Sequence, residues 1–247
     1  MKLDRHCLQL DVGNSGAKWR LLDGGEVVAR GKYLAADWAS RESLLNCAAQ
    51  VQQIWIASVA SVEAEAELAE LLRLRWQVTP WFARSEAKTG ALRNSYSQPA
   101  LMGVDRWLAM LAAWDRQRDR VCVVDAGSAL TIDLVDSTGQ HEGGYIIPGS
   151  FLMERALLLD TDRVRFAEQV EYGLAPGRST AEAVRHGIAL AQAGAVAMAL
   201  DRSTGPAPGL VFCGGGGQLL CDLLGRGGEV VPDLVFEGME IMADQTP

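Results

Sequence analysis

The sequence is short of the features that mark membrane, secreted, metal-binding and nucleic-acid-binding proteins. No apolar run reaches the ~18 residues expected of a membrane-spanning helix, so no membrane partner is expected. Met1-Lys2-Leu3-Asp4-Arg5-His6 leads straight into a strand-like segment without the apolar core of a signal peptide, and a cytoplasmic location is expected. Cysteine is sparse: Cys7, Cys47, Cys122, Cys213 and Cys221 are odd in number and lack Cys-x-x-Cys spacing. Buried thiols in a reducing compartment fit that usage better than a disulfide framework or a thiolate metal site. The three histidines, His6, His141 and His186, are too scattered to point to a metal. Positive charge is also short, with 23 Lys and Arg against 31 Asp and Glu and a net charge of -8. That balance argues against non-specific nucleic-acid binding but leaves room for a locally positive nucleotide site.

Several catalytic texts are missing as well. There is no Walker A sequence: the nearest stretch, from Gly173 to Thr180, has the wrong spacing and Arg178 where lysine is required. No Gly-x-Gly-x-x-Gly follows the first strand, and neither His-Glu-x-x-His nor Gly-x-Ser-x-Gly occurs.

What is present is an ordinary globular composition, 49% hydrophobic and 22% charged, in a chain of 247 residues. That length supports one large domain or two small ones with a proper core. Strands are predicted at Cys7 to Gly13 and Ala17 to Leu22, with Asp23-Gly24-Gly25 turning into a third strand from Glu26. Helices are predicted over Ser40 to Val51, Val62 to Leu74 and Val104 to Asp115, and strands over Gln53 to Val59 and Gln77 to Phe82. The pattern then restarts. Val121 to Val124 is a continuous apolar strand ending in Asp125, followed by strands at Ala129 to Val135 and Gly143 to Ile147. Helices over Phe151 to Leu159 and Thr180 to Ala199 come next, the second opened by a Ser179–Glu182 capping spacing. A strand at Leu210 to Cys213, a glycine run and a helix at Gln218 to Leu224 complete the repeat. The shared order of three strands, helix, strand, helix favours two similar α/β lobes with a cleft between them.

Four motifs carry chemistry. Asp11-Val12-Gly13-Asn14-Ser15-Gly16-Ala17-Lys18 ends an apolar strand with a small-residue turn whose backbone N–H groups can approach phosphate oxygens. Asp11 there could hold a hydrated Mg²⁺, and Lys18 adds a cation. An ordinary hairpin turn uses the same residue types. Asp125-Ala126-Gly127-Ser128 repeats that chemistry in the second half, and Gly214 to Gly217 would let a helix N-terminus or a flat ring come close to backbone. Gly103-Val104-Asp105-Arg106-Trp107 stands at a helix start, where an Asp and a planar Arg fork fit a polar acceptor.

In combination and in order, these motifs, with Gly143-Gly144-Tyr145-Ile146-Ile147-Pro148-Gly149, resemble the type III pantothenate kinases from about Leu8 to the Pro232–Gly238 segment. The resemblance implies an α/β fold of two duplicated actin-like (ribonuclease H-like) lobes with a nucleotide cleft between them. Residues 1–117 would form the first lobe and 118–247 the second, the latter with adenosine-side glycines. It implies transfer of phosphate from ATP to pantothenate, giving 4'-phosphopantothenate, the first step of coenzyme A biosynthesis. Asp11 through Lys18 and Ser128 would contact ATP, with Mg²⁺ held by Asp11 through water. Asp105 would be the proton acceptor, and Tyr96, Gly103, Val104, Arg106 and Thr180 would contact pantothenate. Asp125 would hold a monovalent cation, K⁺ or NH₄⁺, and a homodimer is implied. Ser15 and Ser128 stand where many relatives carry Thr, which preserves the hydroxyl but leaves the cation requirement open. A nucleotide-binding accessory protein, or a kinase for another small acid or sugar on the same fold, is the alternative.

Overall fold

The structure is a computed structural model that describes residues 6–161 and 163–245. It divides into two compact units: one holds the chain up to Gly90, Tyr96–Ala112 and the segment from Leu234, and the other Ala91–Ser95 and Ala113–Asp233.

The first unit opens with β1 (Cys7–Gly13), β2 (Gly16–Asp23) and β3 (Glu26–Tyr33), then α1 (Trp38–Leu45), β4 (Gln53–Ser58), α2 (Val62–Trp76), β5 (Trp81–Phe82) and β6 (Lys88–Thr89). Its sheet has the order β3-β2-β1-β4-β5, with β1, β2 and β3 antiparallel and β4 and β5 joined in parallel. Alternate residues face opposite sides of a strand. Leu8 and Leu10, with Trp19, Leu21, Ile54 and Ile56, therefore meet Leu44 of α1 and Leu68, Leu72 and Trp76 of α2 in one core. α2 starts where Ser61 Oγ accepts the Ala64 N–H and ends where Gln77 turns into the left-handed region at φ 58. Glu63 and Glu65 lie in its first turn and Arg73 and Arg75 in its last, as the helix dipole favours.

After β7 (Leu92–Arg93), α3 (Val104–Gln117) contributes residues 104–112 to the first unit. The second unit contains β8 (Val121–Ala126), β9 (Ala129–Val135), β10 (His141–Pro148), α4 (Ser150–Asp160), α5 (Thr180–Arg202), β11 (Gly209–Cys213), α6 (Gly217–Leu224) and β12 (Glu229–Val230). Its sheet order, β10-β9-β8-β11-β12, reproduces the first one strand for strand, including the antiparallel and parallel joints. The core gathers Val124, Leu130, Ile132 and Phe212 under Ala193 and Val196 of α5 and Leu220 of α6. Ser179 Oγ caps α5 by accepting the Glu182 N–H, while Glu182 reaches back to the Arg178 N–H rather than to that of Ser179. The capping box is thus shifted by one residue on its return bond.

Two sequence expectations change. α7 (Leu234–Gln245) packs on β1 and β4, so the last stretch of chain returns to the first unit and a division at 117/118 does not describe it. The reason is its apolar face: Leu234, Val235, Phe236, Met239 and Met242 are buried, and Gly238 lies against the Leu108 carbonyl of α3, where a Cβ would stand 2.0 Å from the oxygen. Secondly, α5 is by length and composition apolar enough to cross a bilayer. In this fold it is a packing helix, with Ala181, Ile188, Ala189, Ala193 and Val196 buried among its contacts to α4, α6 and β9.

Candidate functional site

In the first unit, β1 and β2 close at the Gly13–Gly16 pair, leaving Asn14 and Ser15 as an exposed two-residue turn. Gly16 has φ +145, and a Cβ there would meet Leu34 Cδ2 at 2.4 Å and the Tyr33 carbonyl at 2.9 Å. Only glycine fits that backbone and that space. The Val59 N–H donates to the Val12 carbonyl (3.0 Å), tying the turn's approach to the end of β4. Asp11 is half-buried and pairs in register with the exposed Lys18, while Ala17 points into the core. A carboxylate, an amine and a small-residue turn thus stand together at one end of the sheet.

Asp105 lies in the first turn of α3, half-buried, and its Oδ1 accepts the Arg106 N–H at 2.8 Å. The carboxylate folds back over Gly103: a Cβ at 103 would stand 2.6 Å from Asp105 Oδ1. Arg106 is 5% exposed, and its Nη1 donates to Tyr96 Oη at 2.9 Å, with the guanidinium 5.8 Å from the Tyr96 ring. Val104 and Trp107 are buried, which fixes the helix start that carries these groups. The structure therefore brings Tyr96, Gly103, Asp105 and Arg106 together within the first unit.

In the second unit Asp125 is the next-to-last residue of β8, half-buried, in register with Thr131 and Cys213. Gly214, at φ +77, has no room for a Cβ, which would lie 2.3 Å from Asp125 Oδ1. The Gly216 N–H donates to the Ala126 carbonyl (2.9 Å), and the Gly149 N–H donates to the Ser128 carbonyl (3.0 Å), so the glycine run and the start of α4 both seat on the 125–128 turn. Beside this turn is a cavity of about 400 Å³ whose lining includes Gly127, Gly215, Gly216, Tyr172, Gln192 and Leu219. Burial and the adjacent Glu154 carboxylate push the Tyr172 phenol above its ordinary value. Thr180, exposed at the first turn of α5, belongs to this unit rather than to the one holding Asp105. Among the described residues no cluster of three or more His, Cys, Asp or Glu could cage a metal by itself. Single carboxylates such as Asp11 and Asp125 suit a hydrated cation completed by ligand oxygens.

A family model described as type III pantothenate kinase matches residues 7–202. The chain belongs to the type III pantothenate kinase family. It is 40% identical to the type III pantothenate kinase of Marinobacter nauticus over 74% of this chain and 75% of that one. It is 36% identical to that of Hahella chejuensis over 85% of both. Among solved structures it is similar to a Campylobacter jejuni protein described as a Baf family transcriptional activator, with a TM-score of 0.64 and 24% identity over 97% of this chain and 98% of that one. It is also similar to MreB 5 of Spiroplasma citri, with a TM-score of 0.50 and 11% identity over 97% and 96%. These likenesses establish the fold, two actin-like lobes, as the repeated sheet order requires.

This kinase-family chain also holds polar groups that sequence reasoning missed. His141, wholly buried, joins Asp133 Oδ1 through Nε2 (3.1 Å) and Ser95 Oγ through Nδ1 (2.9 Å). Arg20, also buried, donates to Gln9 Oε1 (2.7 Å) and to Glu240 Oε1 of α7 (2.7 Å), with Phe236 beneath its guanidinium. Nothing in local spacing marks either group; the period-two placement of Gln9 and Arg20 on the face opposite the core was the one available signal.

Proposed function

We propose that the chain catalyses ATP-dependent phosphorylation of pantothenate to 4'-phosphopantothenate, the entry to coenzyme A biosynthesis. The observation that carries this reading is the acceptor-side group: a half-buried Asp105 seated over Gly103, beside a buried Arg106 bonded to Tyr96, in a chain matched by the family over residues 7–202. Phosphoryl transfer passes through a loose transition state, so placement and charge neutralisation matter more than a strong base. Asp105 orients the primary hydroxyl and accepts its proton late. Arg106 offers a cationic fork to an anionic group of the substrate, and Tyr96, Gly103 and Val104 complete its contacts within the first unit.

On the nucleotide side, the turn from Asp11 to Ala17 supplies backbone N–H groups and the Asn14 and Ser15 side chains, and Lys18 supplies a charge. Mg²⁺, when bound, neutralises the phosphate oxygens; Asp11 fits it through water, being one carboxylate with no second acid in its turn. Ser128 adds a hydroxyl to the phosphates. Asp125, a single half-buried carboxylate in the second turn, suits a monovalent cation, K⁺ or NH₄⁺. The cavity beside Gly215 and Gly216 has the mainly apolar, glycine-containing lining that suits an adenine ring. A cytoplasmic homodimer completes the reading, supported by the exposed apolar residues of α4. The likeness to a Baf family protein is one of fold and supports no regulatory role.

The test is a coupled ADP-release assay with pantothenate, a panel of other hydroxy acids and sugars, and K⁺ or NH₄⁺ added or withheld. Pantothenate is expected to be the one good acceptor. Asp105→Asn is expected to fold normally and turn over at least ~100-fold more slowly, the usual range for lost general-base help. Near-normal turnover in that variant removes Asp105 from the role, and unchanged cation activation in Asp125→Ala removes Asp125 from its own. Nucleotide binding without turnover on any acceptor would sink the kinase reading.

A further inference from the structure

The register of the first sheet lines up charges that the loop sequence alone does not show. Across β1, β2 and β3, Asp11 stands opposite Lys18, and Lys18 opposite Lys32. One row further from the turn, Gln9 stands opposite Arg20, and Arg20 opposite Arg30. Four cations therefore share one face of two strands in a chain whose net charge is -8. Like charges directly opposite each other destabilise a sheet. The inner row is answered at Arg20, which bonds Glu240 and Gln9. In the outer row Lys18 and Lys32 are both exposed, and among the described residues neither side chain forms an ion pair or hydrogen bond.

Lys32 is also held in place. The Trp19 indole donates to the Lys32 carbonyl at 3.3 Å, and its ring fills the space over Gly31, where a Cβ would stand 2.6 Å from Trp19 Cζ2. This clamp fixes β3 on the core side while the Lys32 side chain projects from the other face, at the same end of the sheet as the Asn14–Ser15 turn. Opposed Cα atoms in an antiparallel pair lie ~4.5–5.5 Å apart, so two lysine ammonium groups can converge on one anion. We infer that Lys32 is a second phosphate-binding cation, acting with Lys18 to hold the polyphosphate of the nucleotide from β3. This rests on the β1–β2 turn being the phosphate loop. The repulsion that the pair carries when empty becomes attraction once a phosphate group sits between the two amines.

The full-length protein and its Lys18→Gln, Lys32→Gln and Lys32→Arg variants separate the possibilities. Lys32→Gln is expected to raise KM for ATP about five- to tenfold, the scale of one charge-assisted hydrogen bond, with KM for pantothenate unchanged. Its thermal midpoint without ligand should equal or exceed that of the parent, because a repulsion is relieved. The increase in midpoint caused by a non-hydrolysable ATP analogue should shrink, and Lys32→Arg should restore it. If Lys18→Gln raises KM for ATP and Lys32→Gln does not, Lys32 has no such role. If neither variant changes ATP binding, the phosphate-loop reading fails and takes the Lys32 assignment with it.

Discussion

A methyl group added at Gly103 would stand 2.6 Å from Asp105 Oδ1, and 3.8 Å from Val59 Cγ1. Gly103→Ala must therefore rotate the Asp105 carboxylate or break its bond to the Arg106 N–H. With Asp105 as the acceptor-side base, kcat is expected to fall about tenfold or more, since small misplacements of catalytic groups are costly. KM for ATP and the melting temperature should move little. Full turnover with a lowered melting temperature would make Gly103 a folding residue alone. The text Gly-x-Asp-Arg-Trp was legible in the sequence, but the need for glycine was not, because it comes from a side chain folding back on its own helix start. Trp107 is wholly buried, with Nε1 donating to Thr89 Oγ1. Three of the five cysteines, Cys7, Cys122 and Cys213, are buried as expected, while Cys47 and Cys221 are half-buried; burial pushes the Cys7 and Cys122 thiols up to about 12. His141 was not legible, since Asp133 and Ser95 reach it only through the pairing of β9 with β10 and a loop 46 residues away.

Elements with a strong internal period or a clear cap were read closely from sequence, and those defined by distant partners were not. α2 is predicted by its acid-to-base order and runs two residues past Leu74 because Trp76 is buried against the first sheet. The strand expected from Gln77 shrinks to Trp81–Phe82: Gln77 is used as the left-handed cap of α2, its N–H donating to the Arg73 carbonyl at 2.8 Å. α7 was missed because its role is to close the polar face of β1 and β2, where Glu240 receives Arg20 and Gln9. Glu240→Ala removes the anion bonded to a side chain that is 7% exposed. A loss of about 1–3 kcal/mol in urea unfolding is expected, the cost of taking away a buried donor's charged partner. Glu240→Gln, which keeps an oxygen acceptor, should recover part of it. A Glu240→Ala protein within about 0.5 kcal/mol of the parent, the range of ordinary surface changes, would show that α7 is held by its apolar face alone.

The duplication of the molecule was legible because each half writes the same turn chemistry after the same strands, and both sheets take the same strand order. What the sequence hides is which apolar residues the fold leaves uncovered. α4 has no buried residue, although Phe151, Leu152 and Leu159 are exposed along it. Tyr145 and Ile146 on β10 and Leu190 on α5, both of which α4 contacts, are exposed too. An isolated helix of this length is marginal in water, so a bare apolar α4 requires a covering surface. Large exposed apolar patches mark interfaces, and a stable one takes ~800 Å² from each partner. A second copy, meeting the first through the same face, would supply such a surface by two-fold symmetry. Sedimentation at micromolar concentration is expected to give twice the mass of one chain. Leu159→Glu combined with Leu190→Glu places charge on that face and should yield a folded monomer with unchanged helix content by circular dichroism. A parent protein that sediments as a single chain would sink the dimer and leave α4 to another partner.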